Sequence, residues 1–324
     1  MKIDPAILRA LSLSPSNTTL ASHGGSGFAF TGKLTTTLSD GTKKHFFVKT
    51  GTSRDAETMF EGEHASLNAL HTIPSLCPQS FAHGKLDDTA GAFLVTDFLD
   101  MSGGAGQGDG SGMSLAQKLA RLHTTPAPIP QGYERPVFGF PVTTCCGDTE
   151  QDNTYTESWA EFFAERRLMG ILRKSERTNG KDKKLRESVE RTVTEVVPRL
   201  IGDDHLNGGR GVMPVVVHGD LWSGNKGRGR IGGKGAVEDV VFDPSSCYAH
   251  GEYELGIMKM FGGFGGSFLR EYHQLCPKAQ PEDEYDDRVA LYELYHHLNH
   301  HVSYPQDSYQ HPANNKKGYL RWWI

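Results

Sequence analysis

The chain has 324 residues, 23% of them charged, with a formal net charge of −5. That length suits two domains or lobes around a cleft, and the acidic balance offers no global basic field for nucleic acid. No apolar run approaches the roughly 18 residues of a membrane helix, and the first twenty residues lack a signal-type apolar core. The five cysteines include no CxxC pair, which suits reduced thiols in a cytoplasmic protein better than a disulfide framework.

Residues 4–13 predict a short helix. A glycine-rich turn follows, Gly24-Gly25-Ser26-Gly27, and then a strand from Phe28 to Leu38 rich in aromatic residues and Thr. Asp40-Gly41 is a hairpin signal, and His45 to Lys49 reads as the returning strand. From Arg54 to His71 the spacing of Met59, Phe60, Leu67 and Leu70 predicts a helix facing a sheet. Ala92 to Thr96 is a further strand, running into Asp97-Phe98-Leu99. Residues 1–98 therefore read as a small lobe of sheet plus one long helix.

Residues 99–112 read as a hinge and connection, because the Gly-rich run at 102–112 cannot build a packed core. The run lacks a Gly-Lys-Ser/Thr ending and is read as a lengthened surface turn, not a nucleotide loop. Downstream the pattern turns helical, at 113–123, 156–174, 183–200 and 285–301, with an irregular stretch from Pro126 to Asn153. A mostly helical lobe is expected over 113–324, giving an α+β fold of two lobes.

The chemistry concentrates in His218-Gly219-Asp220-Leu221-Trp222-Ser223-Gly224-Asn225, behind the β-branched run Val215–Val217. An aspartate with an asparagine five residues on has the spacing of a kinase catalytic loop, in which the Asp takes the substrate hydroxyl proton and the Asn holds magnesium. Asp243, after Val240-Val241-Phe242, is a second candidate magnesium ligand by residue type and placement. His218 is weighed as a base, a metal ligand or a histidine that orients the loop.

The nucleotide parts are expected upstream. Gly24, Gly25, Ser26 and Gly27 let backbone N–H groups approach phosphate. Lys49, on a strand, and Glu63, 14 residues on in the next helix, have the pattern of a phosphate clamp, with Glu61 the competitor for the pairing role. Asp97 and Leu99 join the expected nucleotide-binding residues.

The run His296-His297-Leu298-Asn299-His300-His301 has i,i+4 histidine pairs. It is read as lacking a neighbouring acid or cysteine, hence as lining an acceptor pocket in preference to holding a metal. Cys145-Cys146 reads as two buried thiols. Arg228, Arg230 and Lys234 sit in a Gly-rich segment read as a solvated hairpin turn.

HGDLWSGN, with FDPSSCYAHGEYELGIMKMFGGF at 242–264, resembles the fructosamine kinases, also called ketosamine-3-kinases. FFVKT at 46–50, MFEGEHASLNAL at 59–70, FGFPVTTCCGDTEQDN at 138–153, SWAEFFAERRL at 158–168 and LYELYHHLNHH at 291–301 resemble further blocks of that family, so the resemblance spans nearly the whole chain. It implies a fold related to protein kinases and aminoglycoside phosphotransferases. It also implies ATP- and magnesium-dependent phosphorylation of the 3-hydroxyl of fructosyl or ribulosyl adducts on amines such as protein lysines, an activity that serves deglycation.

By position, the resemblance implies Lys49 and Glu63 as the clamp, Asp220 as the base, and Asn225 and Asp243 as magnesium ligands. His218, Trp222, Glu252 and His296 are the expected acceptor-side residues. Ser26 stands where many members carry a glycine-loop cysteine, so no loop-linked redox switch is expected; Gly251 stands where many carry an arginine. A monomer or weak dimer is expected, with no nucleic-acid or membrane partner. The alternatives are a kinase of the same fold acting on an aminoglycoside, choline or a sugar, and a non-catalytic pseudokinase.

Overall fold

The structure, a computed structural model, describes residues 1–24, 29–102 and 112–303. Two compact units emerge from the packing. The first comprises Met1–Leu119, Val142–Cys145 and Gly224–Ser246; the second comprises Ala120–Pro141, Cys146–Ser223 and Cys247–Ile324. Of the expected connection at 99–112, residues 103–111 lie outside the described residues.

The first unit opens with α1 (Pro5–Ala10), whose start is set by Asp4 accepting the Ala6 N–H and by proline at the first helical position. Strands β1 (Thr18–Ser22), β2 (Phe30–Thr37), β3 (Lys43–Gly51), β4 (Ser80–Lys85) and β5 (Ala92–Asp97) form one sheet in the order β1-β2-β3-β5-β4, each neighbouring pair antiparallel. The predicted hairpin joins β2 to β3: Asp40 Oδ1 accepts from the Thr42 N–H and hydroxyl, while Gly41 takes φ +82°.

Strand β5 is buried on both faces, which explains its unbroken apolar run. Phe93 and Val95 join Ile7, Leu20, Leu34 and Val48 on one side; Ala92 and Leu94 meet Ala56 and Phe60 on the other. The latter two come from α2 (Ala56–Leu70), which lies against β4 and β5. Each large side chain buried in this way contributes about 1.5–3 kcal/mol. Gly62 of α2 is required by close approach, since a Cβ there would stand 2.7 Å from the Thr143 carbonyl oxygen.

The unit is completed by Lys226–Ile231, paired antiparallel with Glu238–Val241 on one side and Leu99–Asp100 on the other. The segment read as a solvated turn is thus a strand, with the turn confined to the residues after Ile231. Its Gly and Arg content hid a ladder made by backbone alone. Lys118, 1% exposed, anchors this part by donating to the carbonyls of Ser75 and Asp239 and to Glu238 Oε2, at 2.8–3.0 Å.

The second unit carries a short antiparallel pair, Val215–Val217 with Cys247–Ala249, amid helices. Trp159–Glu161, π-helical Phe162–Leu168 and Met169–Asn179 follow one another without a break. Glu254–Phe261 packs on Tyr285–Ser303. Gly256 makes that contact possible, because a Cβ there would meet Tyr292 backbone at 2.7 Å. Trp159, Phe163, Tyr253 and Tyr292 meet edge to face or tilted at the centre of this unit, and the Trp159 indole N–H donates to the Tyr292 hydroxyl at 2.8 Å.

A sheet-plus-helix unit and a mostly helical one make up the expected α+β class. Among the described residues no helix is long and apolar enough to cross a membrane.

Candidate active site

In the first unit, Lys49 lies on β3 between β2 and β5, opposite Thr31 and Leu94. Its Nζ stands 2.7 Å from Glu63 Oε1 on α2 and 2.5 Å from Asp243 Oδ1. Burial alone would lower the ammonium pKa; the charges of Glu63 and Asp243 hold it well above its ordinary value. Glu63, and not Glu61, is the partner.

Asp243 and Asn225 come together because the Lys226–Val241 register continues one step further: the Phe242 N–H donates to the Asn225 carbonyl at 3.0 Å. Asn225 Nδ2 lies 3.5 Å from the Asp243 carbonyl oxygen. Asp243 adopts φ +55°, a left-handed backbone that Asp tolerates better than most residues. Residues held there concentrate at functional sites.

Gly24, at φ +71°, is the first residue of the expected phosphate turn; Gly25, Ser26 and Gly27 lie outside the described residues. Asp97 is partly engaged within the sheet, its Oδ2 accepting the Gln79 N–H at 3.2 Å, and burial pushes its carboxyl up. Leu99 is half-buried and pairs with Ile231.

In the second unit, the loop that follows Val217 is held from beneath. His218 is fully buried and its Nδ1 accepts the Asp220 N–H at 3.2 Å, so the neutral ring carries its proton on Nε2. The buried carboxylate of Glu254 accepts two backbone N–H groups, that of His218 on Oε2 and that of Gly219 on Oε1, the latter at 3.0 Å. His123 Nε2 lies 3.7 Å from Glu254 Oε2, and His123 Nδ1 meets the Tyr272 hydroxyl at 2.8 Å. The Cys146 thiol reaches Asp220 Oδ1 at 3.7 Å.

Glu254 is not singled out by the sequence, and Cys146 only as one of two buried thiols; of the two, Cys146 is buried and Cys145 half-buried. Glu254 lies 36 residues from His218, and nothing in its local pattern announces that link.

The acceptor-side expectations divide. Trp222 is 38% exposed; its ring lies 5.5 Å from Phe261, which in turn is 6.2 Å from His300. Glu252 is buried, bound by Arg288 at 2.7 and 3.1 Å and by the Ala279 N–H at 2.8 Å. His296 is 3% exposed and stacks on Tyr253, and burial pushes its pKa down to about 3. With His218 also inside, Trp222 alone of the four is exposed, and the other three are buried.

The histidine run does have an acidic neighbour, contrary to expectation. Glu293, one turn before His297, pairs with it at 3.3 Å. Among the described residues, no group of three or more His, Cys, Asp or Glu side chains is arranged to hold a metal ion.

The family model of fructosamine kinase matches residues 28–317. Mouse ketosamine-3-kinase is 34% identical over 279 residues, 81% of this chain and 83% of that protein. The chloroplastic protein-ribulosamine 3-kinase of Oryza sativa subsp. indica is 36% identical over 257 residues, 79% of this chain and 67% of that protein. A crystal structure from Haemophilus somnus 129PT, provisionally named a fructosamine-3-kinase, shares the fold with a TM-score of 0.72 at 19% identity, covering 99% of this chain and 96% of the other. On the extent of these matches, the chain belongs to the fructosamine kinase family.

Proposed function

We propose that this chain transfers the γ-phosphoryl group of ATP to the 3-hydroxyl of ketosamines, the ribulosyl or fructosyl adducts of lysine and other amines, as a step in protein deglycation. The observation that carries the reading is Lys49 held between Glu63 and Asp243. A charged ammonium fixed by a helix glutamate is positioned to neutralise α- and β-phosphate oxygens. Family membership supplies the acceptor class, and the names of the mouse and rice relatives agree with it.

Asp220 is the residue assigned to receive or orient the acceptor's 3-hydroxyl proton. Phosphoryl transfer asks the protein mainly for positioning and charge neutralisation, and the backbone around Asp220 is fixed by His218 and Glu254. Magnesium fits the donor set of Asn225 and Asp243, an amide and a carboxylate whose backbones are joined through the Phe242 N–H. Those two residues would hold the ion, which when bound neutralises phosphate charge. Trp222 offers exposed aromatic surface to the sugar. Glycated protein lysines or smaller glycated amines are the acceptors in this reading, a monomer or weak dimer the working form, and the cytoplasm its setting.

Acceptor profiling at fixed ATP and magnesium tests it. Ribulosyl-lysine and fructosyl-lysine are compared with an aminoglycoside, choline and free sugars. Preferred turnover of a ketosamine is expected; stronger turnover of a non-glycated alcohol would transfer the assignment to another small-molecule kinase. ATP binding with no turnover on any acceptor would favour a pseudokinase.

A further inference from the structure

The Cys146 side chain is almost fully buried, at 3% exposure, and its Sγ lies 3.7 Å from Asp220 Oδ1 in donor geometry. The carbonyl of the same residue accepts from Asn299 Nδ2 at 3.2 Å, which fixes Cys146 to the Tyr285–Ser303 helix from the backbone side. The thiol therefore approaches the carboxylate from a position set by a long helix and not by the catalytic loop itself. A thiol is a weak donor, but a charged acceptor strengthens the bond, and the donor side of this contact is buried.

We propose that Cys146 is a positioning residue for the base, its buried thiol donating to Asp220 Oδ1 and fixing the rotamer in which that carboxylate meets the acceptor hydroxyl. This rests on Asp220 acting as proposed above. The backbone of the loop is held by Glu254 and by His218; Cys146 acts one level out, on the side chain. Its removal should therefore lower kcat and leave ATP binding and global stability in place. A serine keeps a donor at the same position, whereas alanine and valine do not.

The test compares wild type, Cys146→Ala, Cys146→Val and Cys146→Ser. Phosphate transfer to a ribulosyl-lysine peptide is measured beside ADP release in the absence of acceptor, with Tm recorded for each protein. The Ala and Val variants are expected to lose about five- to ten-fold in kcat, the size of one weak charge-assisted hydrogen bond, with KM for ATP unchanged. The Ser variant is expected to recover most of the loss.

Wild-type kcat in both Ala and Val variants would overturn the proposal. So would a loss that serine does not restore, or one that tracks a fall in Tm, since either marks a packing role. If wild type releases ADP in an Asp220-dependent manner yet forms no sugar phosphate, the ketosamine assignment fails while the Cys146 series is still read from ADP release. Wild type without any ATP turnover overturns both.

Discussion

Glu254→Gln removes the charge beneath the loop that carries Asp220, with almost no change of volume. In the native protein the two carboxylate oxygens accept the N–H groups of His218 and Gly219, all of them buried. A glutamine carbonyl can serve one of these donors, but its NH2 faces the other. One buried donor is then left without an acceptor, which costs about 1–3 kcal/mol. Glu254→Ala strands both and should cost about 2–6 kcal/mol.

At about 2 °C per kcal/mol for a large chain, the glutamine variant should lose roughly 2–6 °C in Tm. Activity should fall further than stability, because misplacing a reacting group by about 1 Å costs about a hundredfold. Steady-state kinetics should give kcat reduced by about 10–100-fold with KM for ATP unchanged.

The pH dependence of this contribution has a definite sign. Burial works to raise the Glu254 carboxyl, but the His123 ring beside it and the bound His218 N–H hold it below its ordinary value of 4.5. A group depressed in the folded state contributes stability that is fully present above the unfolded pKa and is lost as pH falls through the folded one. The wild-type acid limb should therefore include a component below pH 4.5 that the glutamine variant lacks. Unchanged Tm, kcat and acid limb in Glu254→Gln would refute the assignment of Glu254 as the anchor of the loop.

Lys49→Met leaves Glu63 and Asp243 without their shared cation, and turnover should fall by about a hundredfold or more, the scale of removing one preorganised charge contact, with KM for ATP raised in the same assay. Trp222→Ala should raise KM for the acceptor and leave KM for ATP alone; equal effects on both would remove Trp222 from the sugar site. Arg288→Met strands the buried Glu252 carboxylate and should destabilise by about 3–5 kcal/mol, read by thermal denaturation. Its folded fraction should keep the wild-type acceptor KM, because Glu252 is enclosed by Arg288 and the Ala279 N–H.

Local signals in the sequence reached the hairpin and the Lys49–Glu63 pair. Asp40-Gly41 announces a turn by its own chemistry, and an apolar helix pattern between Lys49 and Glu63 sets their approach. Strands β1 and β4 escaped notice because Thr18–Ser22 is short and polar, and Ser80–Lys85 mixes a histidine and a glycine with an irregular register near Ser80. Asp220, Asn225 and Asp243 are marked out as candidates by their spacing at the ends of apolar runs, and the structure brings Asn225 and Asp243 together.

The supports of Asp220 were not legible, because Glu254 and Cys146 reach the loop from 34 and 74 residues away in sequence. Long-range burial also explains Glu252 and His296. Letters that suggest a polar pocket become an internal ion pair and a stacked ring once helices 254–261 and 285–303 pack together.

Mass spectrometry of ribulosyl-lysine and fructosyl-lysine peptides, after incubation with enzyme, ATP and magnesium beside an Asp220→Asn control, tests the central claim most directly. A gain of one phosphate is expected, located by fragmentation on the sugar and absent from the control. Unmodified sugars on both peptides, from protein that still binds ATP, would contradict it.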